Sequence, residues 1–150
     1  MQSTVHATCV LLGQRAVLIR GSVGAGKSDL ALRLISSPAP AFAHPAAHAI
    51  LVADDIVRLH VANARLIASP PPEIAGKLEV RGVGIVNVDY CERAEVCLLV
   101  DLAHLDDIPR MPDEPSLLET IHGASLPRIS LYPFEPSAPV KLWLALYRLA

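Results

Sequence analysis

Ala16-Val17-Leu18-Ile19-Arg20, then Gly21-Ser22-Val23-Gly24-Ala25-Gly26-Lys27-Ser28, then Asp29-Leu30-Ala31-Leu32-Arg33-Leu34-Ile35 is the stretch that decides the fold. Its first part is an apolar, β-rich run, and its last part is a dense apolar run without a breaker, as a largely covered helix would be. Gly-x-x-x-x-Gly-Lys-Ser joins the two. Glycine lets the backbone curl so that several N–H groups point inward, and the following helix adds its positive end. The segment Gly21, Ser22, Val23, Gly24, Ala25, Gly26, Lys27 and Ser28 therefore reads as a cradle for nucleotide phosphates. Lys27 can bridge the outer phosphates, and the Ser28 hydroxyl can ligate Mg²⁺.

A phosphate loop of this kind needs an acidic group at the end of a neighbouring buried strand. Ala49-Ile50-Leu51-Val52-Ala53 is such a strand, and it ends in Asp54-Asp55. Adjacent carboxylates point to opposite sides of an extended backbone, so one can face Mg²⁺ and the other the attacking group. Lys77 to Arg81 alternates in polarity, which turns Glu79 and Arg81 to the same side, before Gly82 and Gly84. That pair suits a metal–phosphate centre and equally a surface ion pair. His6 by itself reads as a partly buried structural histidine.

Working outward, Val5–Leu12 and Ala16–Ile19 read as a hairpin about Gly13-Gln14, with His6 at the start of the strand paired with the loop's own strand. Ile56–Val61 and Arg65–Ala68 read as a second hairpin about Asn63-Ala64. The Pro- and Ala-rich segment 36–48 is a loop. Glu95–Val100 is a buried strand ending at Asp101, and 102–125 is loop-like, broken by Pro109, Pro112 and Pro115. Leu126–Leu131 is a strand. Ser137–Leu149 is a helix with Val140, Leu142, Trp143, Leu146 and Leu149 on its apolar face.

A chain of 150 residues fits one domain. With 52% hydrophobic but only 4% aromatic residues, its core is built from Ala, Leu, Val and Ile. A net charge of −2 with no basic run argues against nucleic acid. No apolar run approaches the roughly 18 residues of a membrane helix. Met1–His6 lacks the character of a signal peptide, so the cytoplasm is the expected compartment. Cys9, Cys91 and Cys97 match no disulfide framework or metal knuckle and read as small buried hydrophobes.

Four segments in order then resemble the catalytic domain of HPr kinase/phosphorylase, which phosphorylates a serine of the phosphocarrier protein HPr. They are Val5-His6-Ala7, Gly21–Ser28, Leu51-Val52-Ala53-Asp54-Asp55, and Glu79-Val80-Arg81-Gly82-Val83-Gly84-Ile85-Val86-Asn87-Val88. The last, a Glu-x-Arg-Gly-x-Gly-Ile run, is the most specific.

The resemblance implies an α/β fold with a single phosphate-loop domain and a mixed sheet, similar to phosphoenolpyruvate carboxykinase. It implies residues 1–150 as the catalytic domain alone, in the short form without the family's N-terminal domain. It implies ATP held by Lys27 and the loop, and Mg²⁺ held by Ser28 and Glu79 beside Asp54. Asp55 would be the base that takes the serine proton, and His6, Arg81 and Arg110 would be further active-site residues.

The expected partner is an HPr-like phosphocarrier, with homo-oligomerisation left open. Pro133-Phe134-Glu135-Pro136 carries no arginine where the family has a Val-Arg-Pro-Gly stretch associated with phosphorolysis, so the expected direction is the kinase one, with phosphorolysis of phosphoserine-HPr left open. A small-molecule kinase and a non-catalytic nucleotide-binding module are the competing readings.

Overall fold

Arg15–Arg20 (β3) is the centre of the molecule because both of its faces are covered. Ala16, Val17, Leu18 and Ile19 are all 0% exposed, as expected of a strand lying between two layers. The computed structural model describes residues 2–111 and 118–149.

β3 pairs antiparallel with Thr8–Leu12 (β2) and parallel with Ala94–Leu102 (β9). β2 continues antiparallel to Ala49–Ala53 (β4). On its other edge β9 pairs parallel with Ala124–Leu131 (β11), and near its start antiparallel with Arg65–Ser69 (β6). β6 pairs with Ile56–Ala62 (β5), and β5 with Gln2–His6 (β1). Leu118–Ile121 (β10) closes on β11. The result is a curled, mixed sheet of nine strands among the described residues, with a separate hairpin of Lys77–Val80 (β7) and Gly84–Asn87 (β8).

Alternation along β3 divides the core. Val17 and Ile19 face Lys27–Ser36 (α1) and Ala138–Leu149 (α2), through Leu30, Ala31, Leu34, Leu142, Trp143 and Leu146. Ala16 and Leu18 face inward with Val57, Leu59 and Leu66 from the curled wing. Leu78 of β7 joins the helix side and so anchors the β7–β8 hairpin against α1. β3, β9 and β11 run parallel, so their carboxyl ends open on one side. The loop 21–26 and the turn 132–137 leave from there, the usual place for a ligand crevice in such sheets.

Several expectations need correcting. Val5–Leu12 is two strands: the chain changes partner at Ala7, whose N–H donates to the Asp55 carbonyl at 3.1 Å. His6 therefore ends β1 opposite Ile56 of β5 and is not paired with β3. Segment 102–125 holds β10 as well as a short 3₁₀ turn at Leu105–Asp107. β10 and β11 join through His122-Gly123, both at positive φ (49 and 85), the two-residue hairpin geometry also adopted by Asn63-Ala64. β9 includes Asp101 and runs to Leu102. On α2, Val140 is exposed and Ala138 takes its place in the core. Pro112 and Pro115 lie outside the described residues.

Candidate functional site

The loop between β3 and α1 is shaped by two left-handed glycines, Gly24 (φ 80) and Gly26 (φ 105). A Cβ on Gly26 would stand 3.1 Å from the Phe134 ring, so space as well as φ requires glycine there. The Ala25 N–H donates to the Ser22 carbonyl at 3.0 Å, which closes the curl. Gly26 is the N-cap of α1 and supplies no side-chain cap. The first N–H groups of α1 thus have no capping side chain and face the crevice with the positive helix end. Lys27 Nζ donates to the Gly21 and Ser22 carbonyls at 2.8 and 3.1 Å, which holds the ammonium over the loop.

Asp54 binds the site together. It is only 4% exposed. Its Oδ1 accepts from Thr8 Oγ1 at 2.9 Å and from Ser28 Oγ at 2.7 Å, and its Oδ2 accepts from the Glu79 backbone N–H at 3.2 Å. One carboxylate thereby joins β2, the start of α1 and β7. Three donors offset the cost of burying the charge.

Asp55 is exposed and stands at φ 70. The Ile56 N–H donates to the Asp54 carbonyl at 2.8 Å, so Asp55 is the central residue of a three-residue turn. The two carboxylates do part company, but through this left-handed kink and not through the alternation of an extended strand. Strain of this type at an exposed carboxylate fits a functional position.

A cleft of about 490 Å³ is lined on one side by Val23, Gly24, Gly26, Lys27, Ser28 and Leu32, and on the other by Asp55, Glu79, Val80 and Arg81. Arg81 lies in the turn after β7, where the Val83 N–H donates to the Val80 carbonyl, and not in the strand itself. Its side and that of Glu79 still reach the same cleft. Arg81 has no ion-pair partner among the described residues, so it is not the surface pair with Glu79 that the spacing allowed. His6 flanks Asp55 across the β1–β5 ladder and is exposed. Arg110 is exposed beyond the 3₁₀ turn and does not line this cleft.

Ser28, Asp54 and Glu79 offer hard oxygen donors of the kind Mg²⁺ accepts. No group of three or more His, Cys, Asp or Glu is poised around a metal among the described residues. A cation here would rely on few protein ligands, as Mg²⁺ does beside phosphates. Cys9 is buried and free, and burial pushes its thiol above the usual range. Cys97 is shifted the same way. Cys9 is the buried hydrophobe expected, whereas Cys91 and Cys97 are only half-buried, and the Cys91 thiol donates to the Arg93 carbonyl at 3.0 Å. No described helix is long and apolar enough to cross a membrane.

Two residues of the site were not legible beforehand. Thr8 is the single polar, fully buried position of β2, and a hydroxyl in an apolar strand was the available signal. Phe134 lines the cleft from the turn after β11, and only the order of the parallel strands brings it there.

Fold and site define a mixed α/β domain. Its glycine-rich loop, uncapped helix end and buried carboxylate meet at the carboxyl ends of parallel strands. The family model described as "HPr Serine kinase C-terminal domain" matches residues 1–107, and the chain belongs to that family. It is 36% identical over 128 residues to the HPr kinase/phosphorylase of Azoarcus sp., covering 77% of this chain and 37% of that protein. With the Clostridium botulinum (strain Eklund 17B / Type B) protein of the same name it is 32% identical over 113 residues, covering 71% and 34%. The chain thus spans about a third of the length of these relatives. The solved structure of the Hpr(Ser) kinase/phosphatase from Coxiella burnetii superposes with a TM-score of 0.75 at 28% identity, over 97% of this chain and 94% of that one.

Proposed function

We propose that this chain is an ATP-dependent protein serine kinase acting on an HPr-like phosphocarrier, and that residues 1–150 form its catalytic domain. The observation that carries the reading is the Asp54 carboxylate, shared by Thr8, Ser28 and the Glu79 backbone at the mouth of the glycine loop. A loop that only bound phosphate would need no buried acid behind its serine. The names of the relatives supply the substrate class.

In this reading Gly21–Ser28 is a phosphate loop. Its N–H groups and the N-terminus of α1 hold the ATP phosphates, and Lys27 exchanges its loop carbonyls for the outer phosphates. Mg²⁺, when bound, neutralises charge on the β- and γ-phosphates. Ser28 donates its hydroxyl hydrogen bond to Asp54, so its lone pairs would be free to hold the cation, with Glu79 on the facing wall. Arg81, without a carboxylate partner among the described residues, is available to the transferring phosphoryl group. Asp55 stands exposed at the cleft and accepts the proton of the incoming serine, with His6 at its side. Positioning and charge neutralisation carry the acceleration. The fold kinship with phosphoenolpyruvate carboxykinase belongs to the same reading, as does a cytoplasmic setting, where HPr would be met.

The test offers purified HPr and labelled ATP with Mg²⁺ to the purified chain. Label on an HPr serine is expected. Turnover confined to a metabolite would favour a small-molecule kinase, and nucleotide binding without transfer would favour a regulatory module.

A further inference from the structure

Phe134 is 57% exposed, yet it is held more firmly than an exposed side chain needs to be. Its ring packs on the backbone of Gly26 and meets Tyr132 edge to face, centroids 5.6 Å apart at 78°. The turn that carries it is clamped from both sides. Arg33 of α1 donates to the Pro133 carbonyl and to the Glu135 carbonyl at 3.5 Å, while its Nε pairs with Asp29. Lys141 of α2 pairs with the Glu135 carboxylate at 2.8 Å. A rigid aromatic, presented to a cleft that Val23 and Leu32 also line beside its charged groups, suits a flat apolar surface.

The start of α1 says which part of a ligand that is. Gly26 caps α1 and Ser28 is its second residue, and within the one cleft they lead to different neighbours. Ser28 leads to Asp54 and the Glu79 backbone. Gly26 leads to Phe134. A triphosphate lying over the helix end, with its reacting phosphate at the carboxylates, directs its other end toward Phe134.

We infer that Phe134 is the platform on which the base of the bound nucleotide stacks. The turn 132–136, which carries no cationic side chain, would then be a nucleoside-binding element. This rests on the phosphate-site reading of Gly21–Ser28. In this role Phe134 is a positioning residue, in contact with the base and not with the transferred group.

The experiment compares two ligands, each with Mg²⁺, by calorimetry: ATP and inorganic tripolyphosphate. Stacking on one aromatic ring predicts that Phe134→Ala raises the Kd for ATP about 10-fold and leaves tripolyphosphate within two-fold. Phe134→Tyr, which keeps the ring, retains wild-type ATP binding. Equal losses for both ligands in Phe134→Ala would show that the ring merely supports the loop and would overturn the platform. So would unchanged ATP binding, or a rise confined to the KM of the protein substrate. Wild type that binds tripolyphosphate as tightly as ATP also overturns the platform while the phosphate site stands. Wild type that binds neither ligand overturns both.

Discussion

Replacing Asp54 by alanine removes the group on which three elements converge. Its carboxylate takes hydrogen bonds from Thr8, Ser28 and the Glu79 N–H. The consequences differ for each donor. The Ser28 hydroxyl lines the cleft and recovers a water partner. The Glu79 N–H belongs to a half-open hairpin and recovers one in part. Thr8 is 0% exposed and recovers none. A buried, unsatisfied hydroxyl costs about 1–3 kcal/mol, and lost bonds to a charged acceptor add to it, so Asp54→Ala should lower stability by about 2–4 kcal/mol.

The decisive comparison is a cycle with Thr8→Val, which replaces the hydroxyl by a methyl of the same shape. In the wild-type background Thr8→Val should cost about 1 kcal/mol. In the Asp54→Ala background it should cost nothing or stabilise, because the orphaned donor disappears. Urea unfolding followed by the fluorescence of Trp143, the single and buried tryptophan, reads all four proteins. Strictly additive effects, or an Asp54→Ala protein as stable as wild type, would refute the reasoning: the carboxylate would then not be a structural hub.

Two further outcomes follow from the geometry. Gly26→Ala meets both a φ of 105 and the Phe134 ring at 3.1 Å, whereas Gly24→Ala at φ 80 meets open space. Denaturation midpoints should place Gly26→Ala about 1–3 kcal/mol below wild type, with Gly24→Ala distinctly milder. Glu119 is held at a pKa of about 2, first by hydrogen bonding to Arg20, whose Nη1 lies 2.6 Å away, and further by Arg128. A carboxyl held below its ordinary value contributes stability that is fully present above about pH 4.5 and is lost as pH falls toward 2. The stability gap between wild type and Glu119→Gln, about 1 kcal/mol after solvent screening, should be constant near neutrality and close across that acid window.

What the sequence made legible was local. Gly21–Ser28, the strand before it and the helix after it follow from chain order, because the curl, the positive φ and the helix start are neighbours. The acidic pair was legible for the same reason, although its geometry was not: the turn at Asp55 depends on Ala7, which takes the Asp55 carbonyl from 48 positions away in the chain. β10 was not legible because the prolines at 109, 112 and 115 mark the preceding stretch as a loop and β10 is only four residues long. His122-Gly123 was the missed hairpin signal. Thr8 and Phe134 join the site through the strand order β11–β9–β3–β2–β4, which no local pattern reveals.

The most direct test of the central claim is a single-turnover transfer from labelled ATP to the HPr serine, wild type against Asp55→Asn. Asparagine tolerates the left-handed φ of 70 at this position, so the backbone turn survives and only the basicity is removed. The account predicts that ATP binding stays within a few-fold while transfer falls by about 10²–10⁴. Transfer by Asp55→Asn at a near-normal rate would contradict it.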